Sequence, residues 1–206
     1  MEEKEYKILV INKENNYLHN VCDPVATIAE GEDIAKDLFR VLTDGKKGVG
    51  LAANQIGIPK RVCVVNVKEP LYFINPKITP VEEQGKFVYL ETCLSMPGIV
   101  ARTERWRSIL IEADNIEGKD YYDISNIPQD LVMSSNDAYE MAAIQHEIDH
   151  LDGIIMTQRK YHSEPFHVLK EHERNDKIII AKGLERKEIK FKKFDEYKQQ
   201  GWTIVE

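Results

Sequence analysis

The run Gln145-His146-Glu147-Ile148-Asp149-His150-Leu151-Asp152-Gly153 constrains this chain more than any other segment. It holds His-Glu-x-x-His, and on a helix residues four apart share a face, so His146 and His150 can both turn a ring nitrogen toward one metal ion. Glu147 sits beside them, placed to handle a proton on water at that ion. The preceding stretch, Ala138 to Ile144, is mostly apolar and rich in helix formers, which reads as a buried helix rather than a solvated face. Two imidazoles and an acid on a buried helix need partners, because unpaired polar groups in a core are costly. A metal supplies one, and the rest of the chain must wrap around the helix and deliver a further ligand to it.

The surroundings read as strands and loops, with one helix before them and the motif helix after. Glu30 to Thr43 is amphipathic, with Ile34, Leu38 and Leu42 at i, i+4, i+8. Arg61–Val67, Leu71–Asn75, Gly85–Leu90 and Ser108–Ala113 read as strands, and Ser134 to Asp137 offers an N-cap to the motif helix. The fold class expected is α+β, with mostly antiparallel sheets packed around a central metal-binding helix. Residues 1–160 are expected to form the catalytic domain. From about Arg159 the chain is dense in Lys, Glu and His, with Pro165 marking a junction, so 161–206 is expected to be a charged, mainly helical extension ending in a short strand.

Composition narrows the partners. Across 206 residues the net charge is −7, which does not favour a broad nucleic-acid surface, so no direct nucleic-acid substrate is expected. No stretch is long and apolar enough to cross a membrane, and none is expected to be a partner. The acidic start lacks the apolar core of a secretory signal. Three cysteines, Cys22, Cys63 and Cys93, suit a reducing compartment, so the expected location is cytoplasmic, or organellar if a transit peptide has been removed.

A catalytic zinc-type site needs three protein ligands and an open position. The metzincin pattern would place a third His where Met156 stands, and a thioether is a poor zinc ligand. A zincin-type metallopeptidase could instead recruit Glu171 or Glu173 from the tail. The other candidate is Cys93, just after a strand and flanked by Glu91 and Ser95, which can hold its loop by hydrogen bonds; a thiolate with two imidazoles suits iron(II) or zinc. Gly48-Val49-Gly50-Leu51-Ala52-Ala53-Asn54-Gln55 matches a dinucleotide fingerprint as text, but a helix end and a polar turn precede it instead of a strand, which excludes that reading. Small residues there let a peptide backbone approach, and the Gln55 amide can donate to an oxygen that turns negative during reaction.

Taken together, these segments resemble the motifs of the peptide deformylase family. The first, Gly-Φ-Gly-Φ-Ala-Ala-x-Gln, is Gly48 to Gln55; the third, Gln-His-Glu-x-Asp-His-Leu-x-Gly, is Gln145 to Gly153; the second, Glu-Gly-Cys-Φ-Ser, appears as Glu91 to Ser95 with Thr92 in place of the family Gly. The resemblance covers roughly residues 8 to 160. It implies one divalent metal, Fe²⁺ physiologically with Zn²⁺ or Ni²⁺ able to replace it, held by Cys93, His146 and His150. It implies Glu147 as general base and then acid, with Gln55 and the Leu94 backbone N–H binding the oxyanion. The implied substrate is the N-formyl-methionyl end of a nascent polypeptide, cleaved to formate and a free amino terminus. Val49 and Gly50 are expected to pair with substrate backbone, Tyr139 and Ala142 to line a methionine pocket, and Glu91 and Thr92 to border it. If the family Gly has positive φ, Thr92 would be strained. The tail is a candidate contact to the ribosome, as in some members. A catalytically silent deformylase-like binding module is the remaining alternative, against which the intact Glu147, Gln55 and ligand set argue.

Overall fold

The computed structural model describes residues 6–11, 17–45, 48–161, 167–168, 177–182, 185–198, 200 and 202–204. They fall into two units, Met1–Val168 and Leu169–Glu206.

In the first unit, helix α1 (Ile28–Gly45) precedes a three-stranded sheet of β1 (Gly50–Ala52), β2 (Val62–Asn66) and β3 (Pro70–Ile74). Strands β4 (Lys77–Pro80), β7 (Ser108–Glu112) and β8 (Asp120–Asp123) form a second sheet in the order β4-β7-β8. A long hairpin of β5 (Lys86–Cys93) and β6 (Met96–Trp106), extended by β9 (His167–Val168), forms the third. Every pairing in these sheets is antiparallel. Helix α2 (Asn136–Leu151) carries the metal motif, and the Ser135 side chain caps it by accepting from the Ala138 N–H at 3.3 Å.

The apolar sequence of β2 has a direct cause. Val62 and Val64 pack with Leu38 and Leu42 of α1, while Cys63 and Val65 pack with Met141, Ile144 and Ile148 of α2. The first sheet thus lies between two helices, and both faces of its middle strand are apolar. Helix α2 is buried nearly all round, from Glu140 through Leu151, so its five consecutive-turn polar residues, Gln145 to Glu147, Asp149 and His150, must all find partners inside the protein. Gly153 ends the helix region at φ +72°, and a Cβ there would lie 2.5 Å from the His19 carbonyl oxygen. Both the left-handed backbone and the close approach demand glycine.

The tail corrects two expectations. Its described residues form mainly a sheet, not a helix: β10 (Lys177–Lys182) pairs with β11 (Glu185–Lys190) and β12 (Thr203–Ile204), with a 3-10 turn (Phe191–Lys193) and the short α3 (Phe194–Lys198) between β11 and β12. The Ile178-Ile179-Ile180 run is β-branched, and Ile178, Ile180 and Trp202 build a small core that Ile189, Phe191, Phe194 and Tyr197 join. That packing overrides the helical preference of the Lys and Glu residues. The expected short terminal strand is present as β12. The boundary also lies later than residue 160, because Tyr161 donates its N–H to the Arg102 carbonyl and His167–Val168 pair with Val100–Ile99 of β6. Pro165, Glu171 and Glu173 lie outside the described residues.

Candidate metal centre

The helical spacing does what the motif requires. The His146 and His150 rings stand 4.8 Å apart between centroids, nearly edge to face. Cys93 reaches them from the end of β5, where the β5–β6 register shifts between Thr92 and Cys93 before the tight turn to Met96. A bulge of this kind re-aims a side chain. The ligand atoms of Cys93, His146 and His150 all lie within 4.8 Å of one another and are buried, with Cys93 Sγ 3.3 Å from His150 Nε2. One thiolate and two imidazoles at this spacing suit zinc or iron(II). Met156 is no ligand; it packs in an apolar cluster with Cys93 and Leu18.

Behind the ligands runs a chain of charges. Glu91 accepts from Arg105 at 2.6 and 2.8 Å and from Thr103 Oγ1 at 2.7 Å, and lies 2.8 Å from His146 Nδ1. Arg105 donates onward to Asp149 at 2.5 Å, and Arg159 grips Asp149 with bonds of 2.7 and 3.0 Å. Burial alone would raise the Glu91 pKa, but the Arg105 guanidinium and His146 hold it well below the usual carboxylate range. The ionised Glu91 fixes the His146 ring through Nδ1 and leaves Nε2 for a metal. His150 is pushed well below the usual imidazole value by burial, reinforced by His146 and Arg105, and so keeps a free lone pair. The Asn54 side chain donates to the His150 carbonyl at 2.6 Å and steadies the last turn of α2.

On the other side of His146 the polar groups are unspent. Glu147 Oε2 and His150 Nδ1 are buried side-chain atoms without a hydrogen-bond partner, which is the condition expected of groups awaiting an ion, water or substrate. Burial pushes Glu147 up to about 7, with His146 and Arg105 pulling the other way. Gly50 makes room for it, since a Cβ there would sit 2.4 Å from Glu147 Oε1. Gln55 accepts the Ala52 N–H at 2.8 Å with its oxygen, which orients the amide. Its Nε2 then points at Ser95 Oγ, 3.1 Å away, and Cys93 Sγ, 3.7 Å away. Leu94, half-buried, occupies the turn beside Cys93 and packs over Gly48.

The expected substrate contacts divide. Val49 and Gly50 lead into β1, an edge strand whose partner in the sheet is β2. Tyr139 is 38% exposed and stacks on Tyr89 at 6.0 Å. Ala142 is buried in the main core with Ile144 rather than lining an open pocket. Glu91 is not at a substrate rim: both its oxygens are consumed behind His146. Thr92 is exposed and unstrained, since among the described residues Asn75 is the one non-glycine with positive φ. Arg105, Thr103, Asp149, Arg159 and Asn54 were not singled out in the sequence. The strict alternation Phe87, Tyr89, Glu91, Cys93 on one face of β5 was the available signal, because it puts Glu91 on the same inward face as the ligand.

The family model described as Polypeptide deformylase matches residues 6–165. The peptide deformylase of Rhizobium meliloti (strain 1021) is 38% identical over 145 residues, covering 67% of this chain and 76% of the relative. That of Syntrophomonas wolfei is 37% identical over 151 residues, covering 73% and 91%. Among solved structures, the peptide deformylase from Thermotoga maritima superposes with a TM-score of 0.61 at 27% identity, over 77% of this chain and 99% of its own.

Proposed function

Because the chain belongs to the polypeptide deformylase family, we propose that it is a metal-dependent hydrolase that removes the N-formyl group from formyl-methionine at the start of nascent polypeptides and releases formate. The observation that carries the reading is the Cys93, His146 and His150 cluster with the unpaired Glu147 carboxylate on its open side.

Cys93, His146 and His150 would hold the ion, with Fe²⁺ the physiological metal and Zn²⁺ or Ni²⁺ able to replace it. When bound, such an ion acts as a Lewis acid and lowers the pKa of water. Glu147 accepts the proton that the attacking water gives up. Water oxygen adds to the formyl carbon, and the carbonyl oxygen takes up negative charge. Gln55 Nε2 and the Leu94 N–H donate to that oxygen. Glu147 then returns its proton to the amine nitrogen as the carbon–nitrogen bond breaks, yielding formate and a free amino terminus. The free edge of β1 receives the substrate backbone as an added strand, and Tyr139 and Thr92 border the approach to the metal.

The buried network of Glu91, Arg105 and Asp149, closed at the surface by Arg159, holds His146 in place throughout. A zincin-type peptidase is not favoured, because Cys93 fills the third ligand position. A silent binding module is not favoured, because every group the chemistry needs is retained. The reaction belongs to newly made protein, so we place the enzyme in the cytoplasm; no described helix is long and apolar enough to cross a membrane. The tail, rich in lysine over 177–198, is proposed as a contact to the ribosome.

The test is formate release from formyl-Met peptides by iron-loaded protein under anaerobic conditions. Formate is expected in equal amount to new amino termini, and Glu147→Ala is expected to lose it while retaining metal. No formate from the iron-loaded protein would overturn the reading.

A further inference from the structure

A cleft of about 370 Å³ opens at the Asp149–Arg159 end of the charge network, away from the metal ligands. Its described lining residues all belong to the first unit, and neither Cys93, His146, His150 nor Glu147 is among them. Its volume falls within the range of about 300–1,000 Å³ typical of small-molecule sites. Among the described residues six cations line it: Arg61, Lys77, Lys86, Arg105, Arg159 and Lys160. Against them stand Glu104, Asp149 and Asp152 on the lining, with Glu91 behind Arg105 as a fourth carboxylate. Six against four leaves the cleft positive in a chain whose net charge is −7.

The cations play two parts. The arginines are held: Arg61 binds Asp152 at 2.7 Å and the Pro76 carbonyl at 2.8 Å, Arg105 joins Glu91 to Asp149, and Arg159 clamps Asp149. They form a wall in which Asp149, Asp152 and Glu91 are already neutralised. Lys77 and Lys86 are not committed in this way. Lys86 Nζ is 3.8 Å from Glu104 and lies over the Trp106 ring at 4.6 Å. Lys77 faces Glu112 across the β4–β7 pairing, but Glu112 is taken by Lys119 at 2.9 Å. Both lysines are exposed, so their ammonium groups can swing to a ligand without losing a strong ion pair.

We propose that this cleft binds a small multivalent anion bearing phosphate groups. The arginine wall keeps Asp149, Asp152 and Glu91 from repelling it, Lys77 and Lys86 close on its oxygens as point charges, and the half-buried Trp106 supplies a flat apolar side.

Isothermal titration of the full-length, metal-loaded protein with inorganic pyrophosphate tests this. One saturable event is expected, weakening as salt is added. The Lys77→Ala/Lys86→Ala double variant should bind at least tenfold more weakly with unchanged formate release, and Lys36→Ala on α1 should bind like the parent. Pyrophosphate also chelates metals, so metal content is measured after each titration. Binding that survives intact in the double variant, or that tracks loss of metal, is chelation and overturns the proposal, as does no binding at all. If the double variant does not fold, Lys77→Glu alone carries the same expectation.

Discussion

The two sides of α2 were built to opposite rules. Toward the β5–β6 hairpin, every buried charge is matched: Glu91 with Arg105 and His146, Asp149 with Arg105 and Arg159. Toward β1, the Glu147 carboxylate is equally buried yet has an oxygen with no partner. The two glutamates lie close to the same histidine and are pushed apart, Glu91 well below the ordinary carboxylate range by Arg105 against its burial, Glu147 up to about 7 by burial. A paired network holds geometry, and an unpaired group in a dry site is one whose proton can move. In the proposed function the matched side is the scaffold of the metal centre and the unmatched side is its reacting face.

The sharpest way to break this contrast is on the reacting face. Glu147→Gln keeps shape and removes the base, so kcat for formate release should fall by about 10²–10⁴ with metal content unchanged. Near-normal turnover would end the assignment. On the scaffold side, Glu91→Ala strands the Arg105 charge and frees the His146 ring. It should cost about 3–5 kcal/mol in urea unfolding and weaken metal binding by about 10–100-fold. If it lowered kcat alone, with stability and metal affinity intact, Glu91 would belong to the reacting face instead.

Gln55→Ala should lower kcat by about 10²–10³ while KM for a formyl peptide moves little; a change confined to KM would make Gln55 a binding residue only. Gly50→Ala forces a methyl against Glu147 Oε1 and should destabilise by about 1–3 kcal/mol, read by denaturant midpoint, with a matching loss of activity. The smallest effect is expected at Thr92→Gly, about 1 kcal/mol or less because the residue is exposed and unstrained. Its KM for formylated peptides should change and its metal retention should not, and identical kinetics would remove Thr92 from the substrate border.

Much of the site was legible because its signals are local. The four-residue spacing of His146 and His150 needs only helix geometry, and the apolar residues before them announce burial. The inward placement of Glu91 is not legible locally, because its partner Arg105 lies fourteen positions away across a hairpin. The tail was misread for the converse reason. Its Lys and Glu residues favour a helix one by one, while the few isoleucines and Trp202 that build its sheet core act only together.

The sequence by itself therefore determined the metal helix, the chemistry of its ligands, and the antiparallel character of the strands around it, since helical and strand periodicities are written in neighbouring residues. Only the tertiary structure decided which charges would be paired. The hairpin register sets Glu91 and Arg105 on one inward face, and docking that face on α2 brings them to His146 and Asp149 while leaving Glu147 beside Gly50. Such long-range contacts depend on register and packing, which no single stretch of sequence specifies.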